Sequence, residues 1–358
     1  MKKKQRMLFL HQIDKSSAHG TLNGHIALTY RCNLNCVHCY CKGAEDRNRE
    51  LKTEQWQRIL DILQQESCLA LSFTGGDPLA RDDFLQIYSY AKAKGFLITL
   101  FTNGLGFTDQ LIEHLIKSPP LGIEITLNGI TKDTYESITH VKGSFSKAMR
   151  TIKILAEKRL PLILKANCLQ QNKHEVGKIK AFSEELLGKC PDYKFHFKYD
   201  QMIYPRLDLN KAPTDFRLSF KELLEVRRQD PDIWKEYQSN RTKRLPRLTR
   251  KRTFLYNCNF WTKNFFIDPY GRLQPCMFSD KFSSDLKTTS FREGFYNIFP
   301  QLLKEKFKTN SKCKDCRLRS ICYYCPARAY LETGDQEAPV AYFCQLAEAT
   351  YRDMKQKR

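Results

Sequence analysis

Two groups of cysteines in this 358-residue chain have spacings that suit metal ligation. The chain holds fourteen cysteines; the first group is Cys32, Cys36, Cys39 and Cys41, and the second begins at Cys258. The apolar stretch near the N-terminus is too short for a signal peptide, so we expect the chain to stay in the cytosol. The cytosol keeps thiols reduced, which disfavours a disulfide framework. Iron–sulfur or zinc ligation is therefore the first chemistry to expect.

The first group contains a closely spaced trio of thiols. Three residues separate Cys32 from Cys36, and two residues separate Cys36 from Cys39. A structural zinc site prefers four protein ligands, so Cys41 or His38 would have to complete it. A 4Fe-4S cluster held by three cysteines instead leaves one iron open to a further ligand. Spacing alone leaves both metals open.

The second group contains seven cysteines within the last third of the chain. They are Cys258, Cys276, Cys313, Cys316, Cys322, Cys325 and Cys344. Cysteine pairs with two residues between them, such as Cys313 and Cys316, are typical of zinc ribbons. The five residues between this pair and the next pair are, however, a short gap for a zinc ribbon. We predict that the scattered Cys68, Cys168 and Cys190 are packing residues, because free cysteine behaves as a small hydrophobe.

Alternating apolar strands and helical patterns must position the first group. Predicted strands cover 24–30, 68–74, 96–102, 121–127, 161–169 and 193–199. Predicted helices cover 53–66 with Thr53 as N-cap, 82–94, 108–117, 144–158 and 173–188. Six strands with crossover helices predict an α/β fold with a parallel sheet. The first cysteine loop should lie at the carboxyl edge of that sheet, where α/β proteins bind ligands.

The strand–helix alternation stops near residue 203, which suggests several units. We expect a basic N-terminal segment (1–23), an α/β unit (24–203), a basic bridging segment (204–255), a cysteine-rich unit (256–350) and a basic tail (351–358). The cysteine-rich unit has few long periodic elements. It should therefore need metal to fold.

The first cysteine loop resembles that of the radical S-adenosylmethionine (SAM) enzymes. The shared features are the Cys-x3-Cys-x2-Cys spacing of Cys32, Cys36 and Cys39 and its position after the first of six β/α strands. His38 stands where that family usually has an aromatic residue. The resemblance implies a partial (β/α)6 TIM-like barrel and a 4Fe-4S cluster whose open iron binds SAM. It also implies reductive cleavage of SAM to a 5′-deoxyadenosyl radical, which removes a hydrogen atom from the substrate.

Further strand-end motifs support this resemblance. Gly75-Gly76-Asp77-Pro78 is similar to the family's GGEP motif, and Thr126-Leu127-Asn128-Gly129 is similar to its Ser-Leu-Asp-Gly. The resemblance implies SAM contacts at these and other strand ends. The implied residues are Gly75, Gly76, Asp77, Pro78, Asn103, Thr126, Asn167 and Tyr40.

The second cysteine group resembles the SPASM domain, an extension of many radical SAM enzymes that holds auxiliary clusters. By that resemblance Cys258, Cys276 and Cys325 bind one 4Fe-4S cluster, whose fourth ligand is not identified. Cys313, Cys316, Cys322 and Cys344 bind another. The implied cofactors are SAM and three 4Fe-4S clusters, one that binds SAM and two auxiliary.

Members of this branch mostly act on peptides, and the composition is compatible with that. The formal net charge is +21, and the run from Arg241 to Arg252 is strongly basic. The expected substrate is a precursor peptide with an acidic leader, modified by a thioether or carbon–carbon cross-link. The expected electron donor is a reductase, flavodoxin or ferredoxin. Met277 stands where sulfatase maturases have a catalytic Asp, so that activity is disfavoured; no general base is predicted.

Two alternatives remain. One is a radical decarboxylase or oxidase of an anionic small molecule such as a tetrapyrrole precursor. The other is a non-catalytic iron–sulfur or zinc protein that binds nucleic acid, suggested by the charge but disfavoured because the basic run has no interleaved aromatics. No apolar run approaches the roughly 20 residues of a membrane span. The sequence therefore predicts a cytoplasmic protein without membrane contact.

Overall fold

The computed structural model describes residues 22–188, 196–243 and 253–355. Its centre is one mostly parallel sheet, and the strands follow the order β6-β5-β4-β3-β2-β1-β7-β8-β9. The strands are β1 (Leu22–Thr29), β2 (Cys68–Gly75), β3 (Leu97–Thr102), β4 (Gly122–Thr126), β5 (Leu162–Asn167), β6 (Phe197–Asp200), β7 (Asn264–Ile267), β8 (Arg272–Gln274) and β9 (Ser284–Asp285). The predicted α/β class is confirmed.

Helices follow each of the strands β1 to β6 along the chain, and two more lie in the C-terminal region. They are α1 (Thr53–Gln65), α2 (Phe84–Ala93), α3 (Asp109–Lys117), α4 (Lys132–Thr139), α5 (Ser144–Glu157), α6 (Val176–Leu187), α7 (Phe220–Arg228), α8 (Pro231–Lys243), α9 (Pro326–Thr333) and α10 (Ala341–Lys355). In α1 the apolar residues at helical spacing, Trp56, Ile59, Leu60 and Leu63, are all buried. Burial of this stripe against the strands stabilises the layer.

The two faces of the sheet differ in polarity, and this difference directs polar side chains to one side. Ile123 and Ile125 of β4 belong to the main apolar core with the helices. The residues between and after them, Glu124 and Thr126, therefore point to the opposite face, because side chains alternate along a strand. On that face Lys198 of β6 reaches Glu124 with a 2.7 Å ion pair.

Several local predictions were wrong. Lys52, not Thr53, is the N-cap of α1; the Thr53 hydroxyl instead donates to Asp83 at 2.6 Å. Helix α4 was not predicted, although Thr131 caps it by accepting from the Thr134 amide. Its eight residues lie between the predicted strand 121–127 and the predicted helix 144–158, where no element was predicted. The bounds of the five predicted helices differ from the observed bounds by at most three residues.

The cysteine-rich region joins the same sheet, which the prediction of six strands missed. Strand β7 pairs in parallel with β1, with Asn23 opposite Asn264 and Ile26 opposite Ile267. Strands β8 and β9 continue from it in antiparallel pairing. The run from Asn264 to Ile267 is only four residues long, so its pattern is too short to be assigned from sequence.

A buried ion pair fixes the C-terminal helices to the segment after β6. Arg217 donates to both oxygens of Glu332 on α9, at 2.9 and 2.8 Å. The same guanidinium lies 4.6 Å from the ring centre of Tyr342 on α10.

Among the described residues, none of the helices has the length and apolar character needed to span a membrane.

Candidate functional site

The first cysteine loop leaves the carboxyl end of β1 and is held by backbone contacts to α4. The amides of Asn35 and Val37 each donate at 3.0 Å, to the carbonyls of Thr139 and Ile138. The strand thus delivers the loop to the predicted edge of the sheet, and the unpredicted helix supports its far side.

Gly75 and Gly76 allow β2 to approach this loop closely. A Cβ at Gly75 would lie 1.9 Å from the Thr29 carbonyl oxygen, and one at Gly76 would lie 2.3 Å from the Tyr30 oxygen. The Gly76 amide donates to Thr29 at 2.8 Å, and the Asp77 amide donates to Arg31 at 2.8 Å. The glycines are therefore required by contact between two backbone segments.

Asp77 lies at the centre of a buried hydrogen-bond network. One carboxylate oxygen accepts from the Leu79 amide at 2.9 Å. The other accepts from the Thr102 hydroxyl and the Asn103 amide, both at 2.8 Å. Burial raises the pKa of Asp77, and these hydrogen bonds oppose the rise. The carboxylate therefore joins the ends of β2 and β3, and Pro78 begins the short 3-10 turn after it.

Asn103 connects this network to the first cysteine. Its side-chain amide donates to the sulfur of Cys32 at 3.4 Å and to Asn33 at 2.6 Å. The structure therefore brings together the ends of β1, β2 and β3, as the strand-end motifs predict.

His38 occupies the other side of the loop, where it meets the ends of β4 and β5. Its Nε2 lies 3.1 Å from the side-chain amide of Asn167 and 3.4 Å from that of Asn128. Burial and then the charge of Lys165 lower the pKa of His38 to about 4, so the ring is neutral near neutrality. Its Nδ1 is buried and finds no partner among the described residues.

The sequence did not predict Lys165 as a site residue. It lies on β5 directly beside Thr126 of β4, and it shares the polar face with that threonine. A lysine inside a run of strand residues breaks the apolar pattern, which is the signal that could have marked it.

Tyr40 turns toward the C-terminal region. Its carbonyl accepts from the Leu207 amide at 2.9 Å, and its ring lies 6.1 Å from that of Phe278. Tyr40 directly follows Cys39, and Phe278 lies two residues after Cys276. The ring contact therefore joins the loops of the two cysteine groups.

The thiols of the first group influence one another electrostatically. Burial raises the pKa of Cys32 to about 11 and that of Cys36 further, and the other two cysteines of the trio add to the rise at Cys36. The pKa of Cys39 is lowered to about 6, chiefly by a hydrogen bond with Cys41. Cys41 itself is buried, and its thiol donates to the Gly75 carbonyl at 3.5 Å.

Within residues 22–188, 196–243 and 253–355, no three His, Cys, Asp or Glu side chains converge on a point that could hold a single metal ion. A cubane cluster makes a different demand on its ligands. Its thiolates bind separate iron corners rather than one shared ion.

Four cysteines of the second group surround one cavity of about 190 Å³. They are Cys313, Cys316, Cys322 and Cys344, and Lys312, Arg319, Tyr324 and Phe343 also line the cavity. Arg319 supports the wall by donating to the carbonyls of Cys313 and Leu255, at 3.1 and 3.0 Å. The four thiols are those grouped together by the SPASM resemblance.

The other three thiols of the second group form a separate set. Burial raises the pKa of Cys276 to about 11, and Cys325 and Cys258 contribute to this rise while Arg328 opposes it. Cys325 is the N-cap of α9. Cys258 is exposed, and its sulfur accepts from the Phe260 amide at 3.4 Å.

Two of the three scattered cysteines are buried, as expected of packing residues. Cys68 and Cys168 both belong to the main apolar core. Cys190 lies outside the described residues, as do residues 244–252 of the predicted basic run.

Comparison with known proteins identifies the class. Residues 26–181 match the model of the radical SAM superfamily. This part of the chain is a radical SAM domain.

Its relatives cover most of the chain at low identity. The AdoMet-dependent heme synthase of Methanosarcina barkeri is 24% identical over 88% of this chain and 95% of that protein. The PqqA peptide cyclase of Bradyrhizobium diazoefficiens is 23% identical over 87% of this chain and 82% of that protein. Among solved structures, Streptococcus suis SuiB bound to precursor peptide SuiA shares the fold with a TM-score of 0.69. The match is 17% identical and covers 96% of this chain and 80% of SuiB.

Proposed function

We propose that this radical SAM enzyme modifies a precursor peptide by a thioether or carbon–carbon cross-link. The observation that carries the SAM chemistry is the meeting of Cys32, Asp77 and Asn103 at one sheet edge. The names of two relatives support the peptide: PqqA peptide cyclase acts on a peptide, and SuiB was captured with a precursor peptide. The proposed partners are thus a peptide with an acidic leader and a reductase, flavodoxin or ferredoxin.

The donor chemistry of the first loop fits a cluster with three protein ligands. Cys41, the next thiol along the chain, donates to the Gly75 carbonyl, and this contact supports Cys32, Cys36 and Cys39 as the ligand set. When bound and reduced, the cluster supplies the electron that cleaves SAM to methionine and a 5′-deoxyadenosyl radical. The chain's own task is to place SAM and the substrate carbon and to exclude water.

We assign the SAM contacts by chemistry. Lys165 offers a cation and Thr126 a hydroxyl beside it. This pair suits the methionine carboxylate. The Gly75 and Gly76 segment offers backbone groups for the amino group. Asp77 positions that segment, because its carboxylate already accepts three hydrogen bonds. Asn167 and His38 lie at the next strand end and would meet the nucleoside.

We propose two auxiliary clusters in the second cysteine group. The cavity shared by Cys313, Cys316, Cys322 and Cys344 supports one site with four protein ligands. The mutual electrostatic effects of Cys258, Cys276 and Cys325 support a second site with three.

A second candidate function is oxidation or decarboxylation of a tetrapyrrole precursor. It is favoured by the heme synthase relative, whose match spans 95% of that protein.

One experiment separates the two candidates. The anaerobically reconstituted chain is incubated with SAM, a reductant and either a peptide encoded beside its gene or a propionate-bearing tetrapyrrole. The proposal expects 5′-deoxyadenosine together with a mass change of the peptide. A mass change confined to the tetrapyrrole supports the second candidate. Absence of 5′-deoxyadenosine with every substrate contradicts both.

A further inference from the structure

Arg328 lies beside Cys325 of the three-cysteine set of the C-terminal region. It belongs to the first turn of α9, whose N-cap is Cys325. Its guanidinium carbon is 4.6 Å from the ring centre of Tyr204 and 5.8 Å from that of Phe278. Among residues 22–188, 196–243 and 253–355, no carboxylate forms an ion pair with Arg328. Its positive charge is therefore available to other neighbours.

The two aromatic rings hold the guanidinium in place. Tyr204 and Phe278 are 4.7 Å apart between ring centres, so they form one continuous surface under Arg328. Cation–π attraction to such a surface favours one orientation of a long, flexible side chain. Phe278 is two residues beyond Cys276, so this surface is tied to the same set of thiols.

The guanidinium is close to two of the three thiols. Arg328 is three residues beyond Cys325 in the first turn of α9, and the ring of Phe278, over which it lies, is two residues beyond Cys276. The amino end of α9 adds partial positive charge at Cys325, because the amides of a first helical turn point outward. The guanidinium is the full charge among these groups.

We propose that Arg328 provides the balancing positive charge for the Cys258, Cys276 and Cys325 site and raises the reduction potential of the cluster bound there. The proposal rests on the proposed function, which places an auxiliary cluster at these thiols. Reduction adds one electron to a site that already carries thiolate charge. A nearby cation stabilises the reduced form more than the oxidised form. Tyr204 and Phe278 act as positioning residues for the guanidinium.

The test is a redox titration of the full chain, reconstituted with iron and sulfide and followed by electron paramagnetic resonance. The transition of this site is identified as the one that disappears in Cys258→Ala. We expect Arg328→Gln to move that transition to a more negative potential with the iron content retained. Arg328→Lys keeps the charge and should give a smaller shift.

Arg292→Gln is the matched control. Arg292 also lies over an aromatic ring, 5.5 Å from the centre of Tyr296, but its side chain is 73% exposed and pairs with Glu66. It should leave every transition unchanged.

An unchanged potential in Arg328→Gln overturns the proposal. Loss of iron from this site in both Arg328→Gln and Arg328→Lys also overturns it, because the side chain would then serve packing rather than charge. If Cys258→Ala removes no transition, the site holds no cluster and this inference fails. Formation of 5′-deoxyadenosine by the parent chain would still support the SAM chemistry in that case.

Discussion

The side-chain amide of Asn103, at the end of β3, donates a hydrogen bond to the sulfur of Cys32 at 3.4 Å. The backbone amide of Asn103 donates to Asp77. One residue therefore connects a proposed cluster ligand to the loop after β2. A change in either loop should therefore alter the position of the other.

Cys36→Ala should remove SAM cleavage altogether. Two remaining thiols should not keep a cluster with its open iron in position, so 5′-deoxyadenosine should fall to background under anaerobic reducing conditions. Cys68→Ala is the control, because Cys68 is buried away from the loop in the main core. Retained turnover by Cys36→Ala would contradict the assignment of the first loop.

Asp77→Asn should weaken SAM binding and lower stability. Both oxygens of Asp77 accept hydrogen bonds, and in asparagine one of them is replaced by an NH2 group that cannot accept from these donors. An unsatisfied buried polar group lowers the free energy of unfolding by about 1–3 kcal/mol. Urea unfolding and anaerobic equilibrium dialysis with SAM measure the two effects. Asp82→Asn serves as control because the Asp82 side chain is 93% exposed. Equal behaviour of the two variants would argue against the network.

Gly75→Ala should disrupt the loop more than Gly95→Ala does. Both glycines have a positive φ, +138° and +89°, so both substitutions strain the backbone. A Cβ at Gly75 also meets the Thr29 oxygen at 1.9 Å, whereas at Gly95 no atom lies within 4 Å. Loss of iron from the first site only in Gly75→Ala, measured by iron content per chain, is the expected result. Similar losses in both variants would mean that strain alone matters.

Cys316→Ala should separate SAM cleavage from product formation. The cavity of four thiols loses one ligand, while the first loop is untouched. We expect 5′-deoxyadenosine without modified peptide, measured by chromatography and mass analysis of the same reaction. Full product yield would show that this cavity is dispensable.

Removal of iron should loosen the segment around the four-thiol cavity. Between Phe307 and Cys325 the only regular element in the described structure is the short turn Arg319–Ile321. With little regular backbone pairing, this segment should depend on its ligands for order. Limited proteolysis after chelation should therefore cut first within residues 308–325. Cleavage that starts instead within the β1–β6 sheet would contradict this.

Sequence patterns were sufficient for the parallel sheet and for the position of the first loop. Alternating apolar runs marked β1 to β5, and each strand-end motif fell at the expected edge. The role of Asp77 could not be predicted, because it depends on Thr102 and Asn103 arriving from the next strand. Side-chain partners distant in sequence leave no local pattern.

Strand β7 and the Tyr40–Phe278 contact show the same limit. The four residues of β7 become a strand only because β1 offers an open edge. The ring contact depends on how the cysteine-rich region is folded against the first loop. Gly75 and Gly76 were expected to let the backbone approach a ligand, and the structure shows that they let it approach the backbone of Thr29 and Tyr30.

The pairing of β1 with β7 has a consequence for biosynthesis. Asn23 leaves the ribosome well before its partner Asn264, because the whole β1–β6 region lies between them in the chain. Until then one edge of β1 exposes unpaired backbone groups, which is a hazard for association with other nascent chains. Chaperone protection of β1 during translation would follow from this late pairing.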